Sequence, residues 1–237
     1  MINNIIYYNM DNFNVEFSTN LSIIIQIITG LFSMQGIFIK LPKKHLILNE
    51  ILLIETLVQF VELFFYIYFL KSMATTNLEN MGSIRYFDWA ITTPTMLLTT
   101  IVYFKYQEYI EQNIDKPFTF WDFVKENKQN IIIIFVSNFL MLLFGYLGEK
   151  NIIDMTSSLL YGFIFFGIAF NNIYKNFAIK SKSSIKMFYF IFTIWGLYGV
   201  AALLNPIQKN NMFNILDIFA KNFFGLYLFY VAKNIKN

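Results

Sequence analysis

The sequence predicts an all-helical membrane protein, a bundle of seven transmembrane helices. Three observations lead there. Only 14% of the 237 residues are charged while 57% are hydrophobic, and a soluble domain carries about 25% charged residues to coat its surface. The chain holds repeated apolar runs of roughly 20 residues, the length a helix needs to cross a bilayer. The stretches between those runs are too short to fold separately, so a single membrane domain is expected and no internal repeat is visible.

The first span is read at about 19–39 and the second at 46–70; the third covers 85–104 and the fourth 129–147. The fifth follows at 152–174, the sixth at 185–204 and the seventh at 213–232. Each must be a helix, because lipid offers no partner to backbone N–H and C=O groups. Residues 1–18 form an N-terminal segment of mixed polarity with an amphipathic character, residues 19–233 the membrane domain and residues 234–237 a short tail. The longest connection, KYQEYIEQNIDKPFTFWDFVKENK, is amphipathic and is expected on the membrane surface, with Phe118, Phe120 and Trp121 as interface anchors.

The composition also excludes. No cysteine is present, which removes disulfides, thiolate metal sites and thiol nucleophiles. The single histidine, His45, stands beside Lys43 and Lys44 in a short loop, a poor basis for histidine catalysis or a metal site. The net charge of +3 is small and spread over loops, which fits lipid headgroups rather than nucleic acid. The start, MINNIIYYNMDNF, lacks the basic segment of a cleavable signal peptide. Lys40, Lys43 and Lys44, the lysines between spans three and four, those between five and six, and Lys233 and Lys236 all fall on one side. The opposite loops carry only Lys71, Lys150 and Lys209. The positive-inside rule therefore places the N-terminus outside and the C-terminus in the cytosol.

Charges inside the spans carry the functional reading. A charge at the bilayer centre costs at least ~2.5–3.5 kcal/mol, so each is a functional hypothesis by default. Glu55, Glu62, Asp88, Asp217 and Lys221 fall within spans, and Arg85 lies at the edge of one. Lys221 lies mid-span in LDIFAKNFFGLYLFY, one turn after Asp217 and on its face. A structural ion pair would satisfy that spacing. A desolvated lysine is also a good nucleophile toward a carbonyl ligand, and the resulting iminium would be a buried cation in need of carboxylates. The third span supplies one in RYFDWAITTPTMLLTT. There Arg85, Asp88 and Thr92 share a face, Trp89 stands next to them, and Pro94 is expected to kink the helix, with Thr92 or Thr93 helping to satisfy the freed backbone.

RYxDW followed by TTP, then D-x-x-x-K in the last of seven spans, resembles the signature of microbial rhodopsins, and the resemblance covers nearly the whole chain. It implies all-trans retinal bound covalently to Lys221 as a protonated Schiff base. Asp88 is then implied as primary counterion and proton acceptor, Asp217 as second counterion and Arg85 as the gating arginine. Trp89, Thr92 and Thr93 become pocket residues, and Met96 occupies a position that tunes colour, implying green absorption. Trp195 and Tyr198 match the family's W-x-x-Y at the ring end of retinal, but Gly199 replaces the proline that often follows, which leaves a one-turn shift open.

The same resemblance separates transport modes. Proton pumps of the family usually carry a carboxylate eleven residues after the acceptor; here that position is Thr99, and the outward NPIQKNNM loop lacks an acidic pair. Glu55, Gln59, Glu62 and Tyr66 form one polar stripe on the second span, and Ser22, Gln26, Thr29 and Ser33 another on the first. Two such stripes predict a wet seam between neighbouring helices. Buried interhelical hydrogen bonds are the plain alternative, though two glutamates are costly for that purpose while carboxylates suit a cation path. Asn222 follows the lysine directly. This pair and the two glutamates resemble channelrhodopsins, and with the triplet Asp88, Thr92 and Thr99 they resemble most the group 1 viral rhodopsins of large algal DNA viruses.

The expected function is thus a light-gated monovalent cation channel, not an enzyme, with Ser22, Glu55, Gln59, Glu62 and Asn222 along the ion pathway. The rivals are a light-driven outward proton pump and a sensory photoreceptor with a protein partner. The implied partners are membrane lipids and monovalent cations or protons, with a homo-oligomer left open, in a host cell membrane if the chain is viral.

Overall fold

The computed structural model describes residues 2–235, with side chains from residue 14 onward. Helix α1 (Ile2–Ile37) enters the bundle, α2 (Ile47–Ser72) returns, and α3 (Leu78–Glu111) crosses again. A short α4 (Phe120–Glu126) precedes α5 (Lys128–Glu149), α6 (Met155–Asn176) and α7 (Lys182–Ala201). The seventh crossing is α8 (Pro206–Asp217) and α9 (Phe223–Lys233), joined by one π turn at Ile218–Asn222. Seven crossings and no strand stand among the described residues, as the sequence predicts.

Six of the seven are long and apolar enough to cross a membrane. The exception, α3, carries the arginine, the aspartate and a run of threonines in its middle. Phe64, Phe87 and Phe139 are more than half exposed on the outside of the bundle, the arrangement of a surface that faces lipid. The chain is an integral membrane protein.

Three elements depart from the expected boundaries. The N-terminal segment up to residue 18 is no separate cap: its backbone continues into α1 as one helix, and the amphipathic reading of residues 1–13 concerns side chains outside those described. Helix α3 extends well past 104 because Tyr103 and Tyr106 are still buried there and Lys105 pairs with Glu108 at 3.1 Å. The loop beyond it folds back on the bundle. Thr119 and Asp122 form a reciprocal cap at the start of α4, and Glu50 of α2 accepts the N–H of Phe120 at 2.7 Å. Trp121 accordingly stays exposed, as an interface anchor would, whereas Phe118 and Phe120 turn inward onto the core.

Glu111 ties the end of α3 to the start of α7. Its carboxylate accepts the N–H of Lys182 at 2.8 Å and of Ser183 at 2.9 Å, and the hydroxyl of Ser181 at 3.1 Å. Partial burial works to raise its pKa, but these hydrogen bonds outweigh it and hold the carboxyl at about 2 against an ordinary 4.5. A depressed folded-state value contributes stability above pH 4.5 that is lost as pH falls toward 2. In thermal melts followed by circular dichroism, the parent is expected to exceed Glu111→Gln by a constant margin above pH 4.5. That margin should close as pH approaches 2; a margin that does not change with pH would remove the carboxylate from the clasp.

Candidate functional site

Lys221 sits inside the π turn of the seventh crossing, where the wider turn closes between the Phe223 N–H and the Ile218 carbonyl. Its ammonium is 1% exposed as a residue and faces three carboxylates from three helices. It is hydrogen-bonded to Asp88 Oδ2 of α3, and lies 3.6 Å from Asp217 Oδ1 of α8 and 3.6 Å from Glu62 Oε1 of α2. Arg85 supplies the second cation, 3.5 Å from Asp217 Oδ2. Three carboxylates therefore share two cations among side chains that are almost wholly buried. Such a group holds only while its partners stay in place, since a buried charge left unpaired is strongly destabilising.

The cluster is fixed by its neighbours. Tyr66 and Tyr198 each donate to Asp217 at 2.7 Å, one to each oxygen. Arg85 donates to Asn214 Oδ1 at 2.5 Å and to the Asn210 carbonyl at 3.4 Å, and its guanidinium lies 4.2 Å over the Phe69 ring. In α3 the hydroxyls of Thr92, Thr93 and Thr95 each turn back to the carbonyl four residues earlier, and the helix runs on through Pro94. Thr93 also accepts from Asn138 of α5 at 2.9 Å.

Beside Lys221 opens a cavity of about 870 Å³, counting its mouth, walled by Trp89, Met96, Phe166, Trp195, Tyr198 and Phe213. Trp195 and Tyr198 of the sixth crossing both line this cavity. Gly199 has a local reason, since a Cβ there would meet the Phe163 ring of α6 at 2.5 Å. Thr93 lines the cavity as well, while Thr92 lies one turn beyond Asp88 within the buried face of α3.

The chain's sequence matches the family described as bacteriorhodopsin-like protein over residues 17–235. The protein belongs to the bacteriorhodopsin-like family. Among solved structures, this rhodopsin is similar to the viral rhodopsin OLPVRII, with 29% identity, a TM-score of 0.78 and 94% of this chain covering 99% of that one. It also resembles the blue light-absorbing proteorhodopsin from Med12 (19% identity, TM-score 0.70, 92% and 96% covered). The bromide-bound halorhodopsin from Halobacterium salinarum shares the fold at 15% identity and a TM-score of 0.67, with 95% and 96% covered. No curated protein sequence matches the chain.

Rhodopsins of this family bind retinal, and the residues here fit that group. The cavity is walled by aromatic side chains, and Lys221 is the amine that lines it among the described residues. Asp88 Oδ1 and Glu62 Oε1 are buried carboxylate oxygens without a hydrogen-bond donor, beside the atom that a covalent cation would occupy.

The predicted pathway residues divide in two. Asn222 donates to Glu62 Oε2 at 3.1 Å and accepts from Thr29 at 2.7 Å, while Gln59 donates to Ser33 at 3.1 Å one turn further along. Ser22 donates to the Asn214 carbonyl at 3.4 Å. These residues do line the junction of α1, α2 and the seventh crossing. Glu55 does not face α1 as its stripe predicts. It accepts from Thr99 and so lies between α2 and α3. Sequence reasoning also missed that Glu62 stands within the Lys221 cluster, and that Asn214, Asn138, Glu149 and Lys209 are buried in polar contacts. Only the polarity of these side chains within apolar runs could have marked them.

Proposed function

We propose that the protein is a retinal-bound photoreceptor acting as a light-gated channel for monovalent cations. The observation that carries this reading is the position of Glu62, which touches the seam and the buried cation together. One oxygen accepts from Asn222 in the seam and the other lies 3.6 Å from Lys221 Nζ. Bound covalently to Lys221, all-trans retinal supplies light absorption and a change of shape. The residues of the chain do the rest. Asp88 Oδ2 is placed to accept a proton from Nζ, and once that cation is gone Glu62 has lost the charge that holds it inward. The Thr29–Asn222–Glu62 and Ser33–Gln59 layers are then free to part. They leave carboxylate and amide oxygens along a route for a cation. The likeness to a viral rhodopsin supports the viral assignment, and the lysines gathered on one side support an N-terminus outside and a C-terminus in the cytosol.

One observation favours the outward proton pump. The Glu55 carboxyl, bonded to Thr99, brings an acid from α2 to the level at which pumps carry theirs on the third helix. Whole-cell photocurrent against voltage separates the two readings. A channel's current reverses with the sodium or potassium gradient; current that stays outward at every voltage leaves the pump. Glu62→Gln and Asn222→Ala are expected to change current per pigment at least about tenfold, or to shift the reversal potential, since the first removes the charge of the pair and the second its hydrogen bond to a charged group, worth about 1.5–3 kcal/mol. Both should remain coloured. Unaltered current–voltage curves would take the pathway out of the seam.

A further inference from the structure

Glu149, the last residue of α5, and Lys209, in the first turns of α8, form a buried ion pair at the end of the bundle expected to face outside. Lys209 Nζ donates to both carboxylate oxygens, at 3.0 and 2.8 Å, and the side chains of Lys209 and Glu149 are 10% and 2% exposed. Glu149 lines the same cavity as Lys221 and Trp89. It is also pressed against α3: a Cβ on Gly82 would lie 2.3 Å from its Oε2, so glycine at 82 leaves the space that the carboxylate fills. Three helices thus meet on one pair of charges where the cavity ends.

The pair is joined to the inner cluster. Arg85 donates to the carbonyl of Asn210, the neighbour of Lys209, and Asn210 in turn donates to the Leu78 carbonyl at the start of α3. A shift of Arg85 therefore acts on the backbone beside Lys209. A surface pair would be exposed to water and screened by salt. This one is not, and removing one partner strands the other in a buried site.

We propose that the Glu149–Lys209 pair is the outer seal of the chromophore cavity, a positioning pair that keeps bulk water and its solutes from Lys221 and Asp88. It rests on Lys221 being the retinal attachment site. The seal is local and reversible, held by charge and close packing, and the link through Asn210 and Arg85 lets the inner cluster loosen it.

The test is the rate at which hydroxylamine bleaches the retinal-loaded full-length protein in the dark, well below its melting temperature. Because the chain has no cysteine, Met155→Cys, at the Glu149 end of the cavity, gives a second readout independent of colour. The rate of its modification by membrane-impermeant thiosulfonates of either charge is measured from outside. Glu149→Gln and Lys209→Met are each expected to speed both reactions about tenfold or more, as the lost pair raises the open population. The exchange Glu149→Lys with Lys209→Glu should bring the rates back toward the parent. Gly82→Ala, which displaces the carboxylate without removing a charge, should act like the single variants. It carries the test if those fail to accumulate. Parental rates in the coloured variants would overturn the seal, as would a fall in melting temperature with no gain in access. An absence of colour in the parent would instead overturn the attachment site.

Discussion

Lys221→Ala is expected to give a protein with no visible absorption band when it is expressed with all-trans retinal, while the parent is coloured. Among the described residues Lys221 is the one amine that lines the aromatic cavity, and it is therefore the side chain placed to hold an aldehyde there. The substitution also removes one of two cations from a cluster of three carboxylates, and breaking a buried pair in that way costs about 3–5 kcal/mol. A lower melting temperature should therefore accompany the loss of colour. Absorbance and circular dichroism on the same purified sample separate the two effects. Helical content kept with colour gone is the expected result. A visible band that survives would move the attachment to another lysine.

Asp88→Asn is expected to shift the absorption band strongly to longer wavelength. Asp88 is the carboxylate hydrogen-bonded to Lys221 Nζ, whereas Asp217 and Glu62 both stand 3.6 Å away. Removing the nearest anion lessens the stabilisation of positive charge at that nitrogen. The two remaining carboxylates keep a counter-charge in the pocket. A band in the near ultraviolet would mean that Asp217 and Glu62 do not hold the charge unaided. A spectrum identical to the parent's at neutral pH would make Asp217, or Glu62, the counterion. Glu62→Gln beside Asp88→Asn tells these apart, because Glu62 alone of the three belongs to the seam as well.

Much of the site was legible because charges in apolar runs are few and conspicuous. Asp217 and Lys221 are one turn apart on one helix, so local geometry alone puts them together, and the structure holds them at 3.6 Å. Arg85 and Asp88 are likewise neighbours on one face of α3. Glu55 and Glu62 were read as a pair from the same stripe, yet one reaches α3 and the other the Lys221 cluster. Periodicity reports which side chains share a face. It does not report which neighbouring helix that face meets, and a wide stripe meets two.

The sequence by itself determined the seven crossings, the cation and carboxylates within them, and the family signature that follows from those residues. These depend on run length and on spacing within one helix, both of which are local. Only the tertiary structure decided that Glu62 joins the seam to the buried cation, that Glu55 bonds Thr99, and that Glu149 meets Lys209 over Gly82. Each of those contacts joins residues far apart in the chain. Their partners are chosen by helix rotation and tilt in the packed bundle, where a buried polar group must find a partner because lipid and apolar side chains offer none.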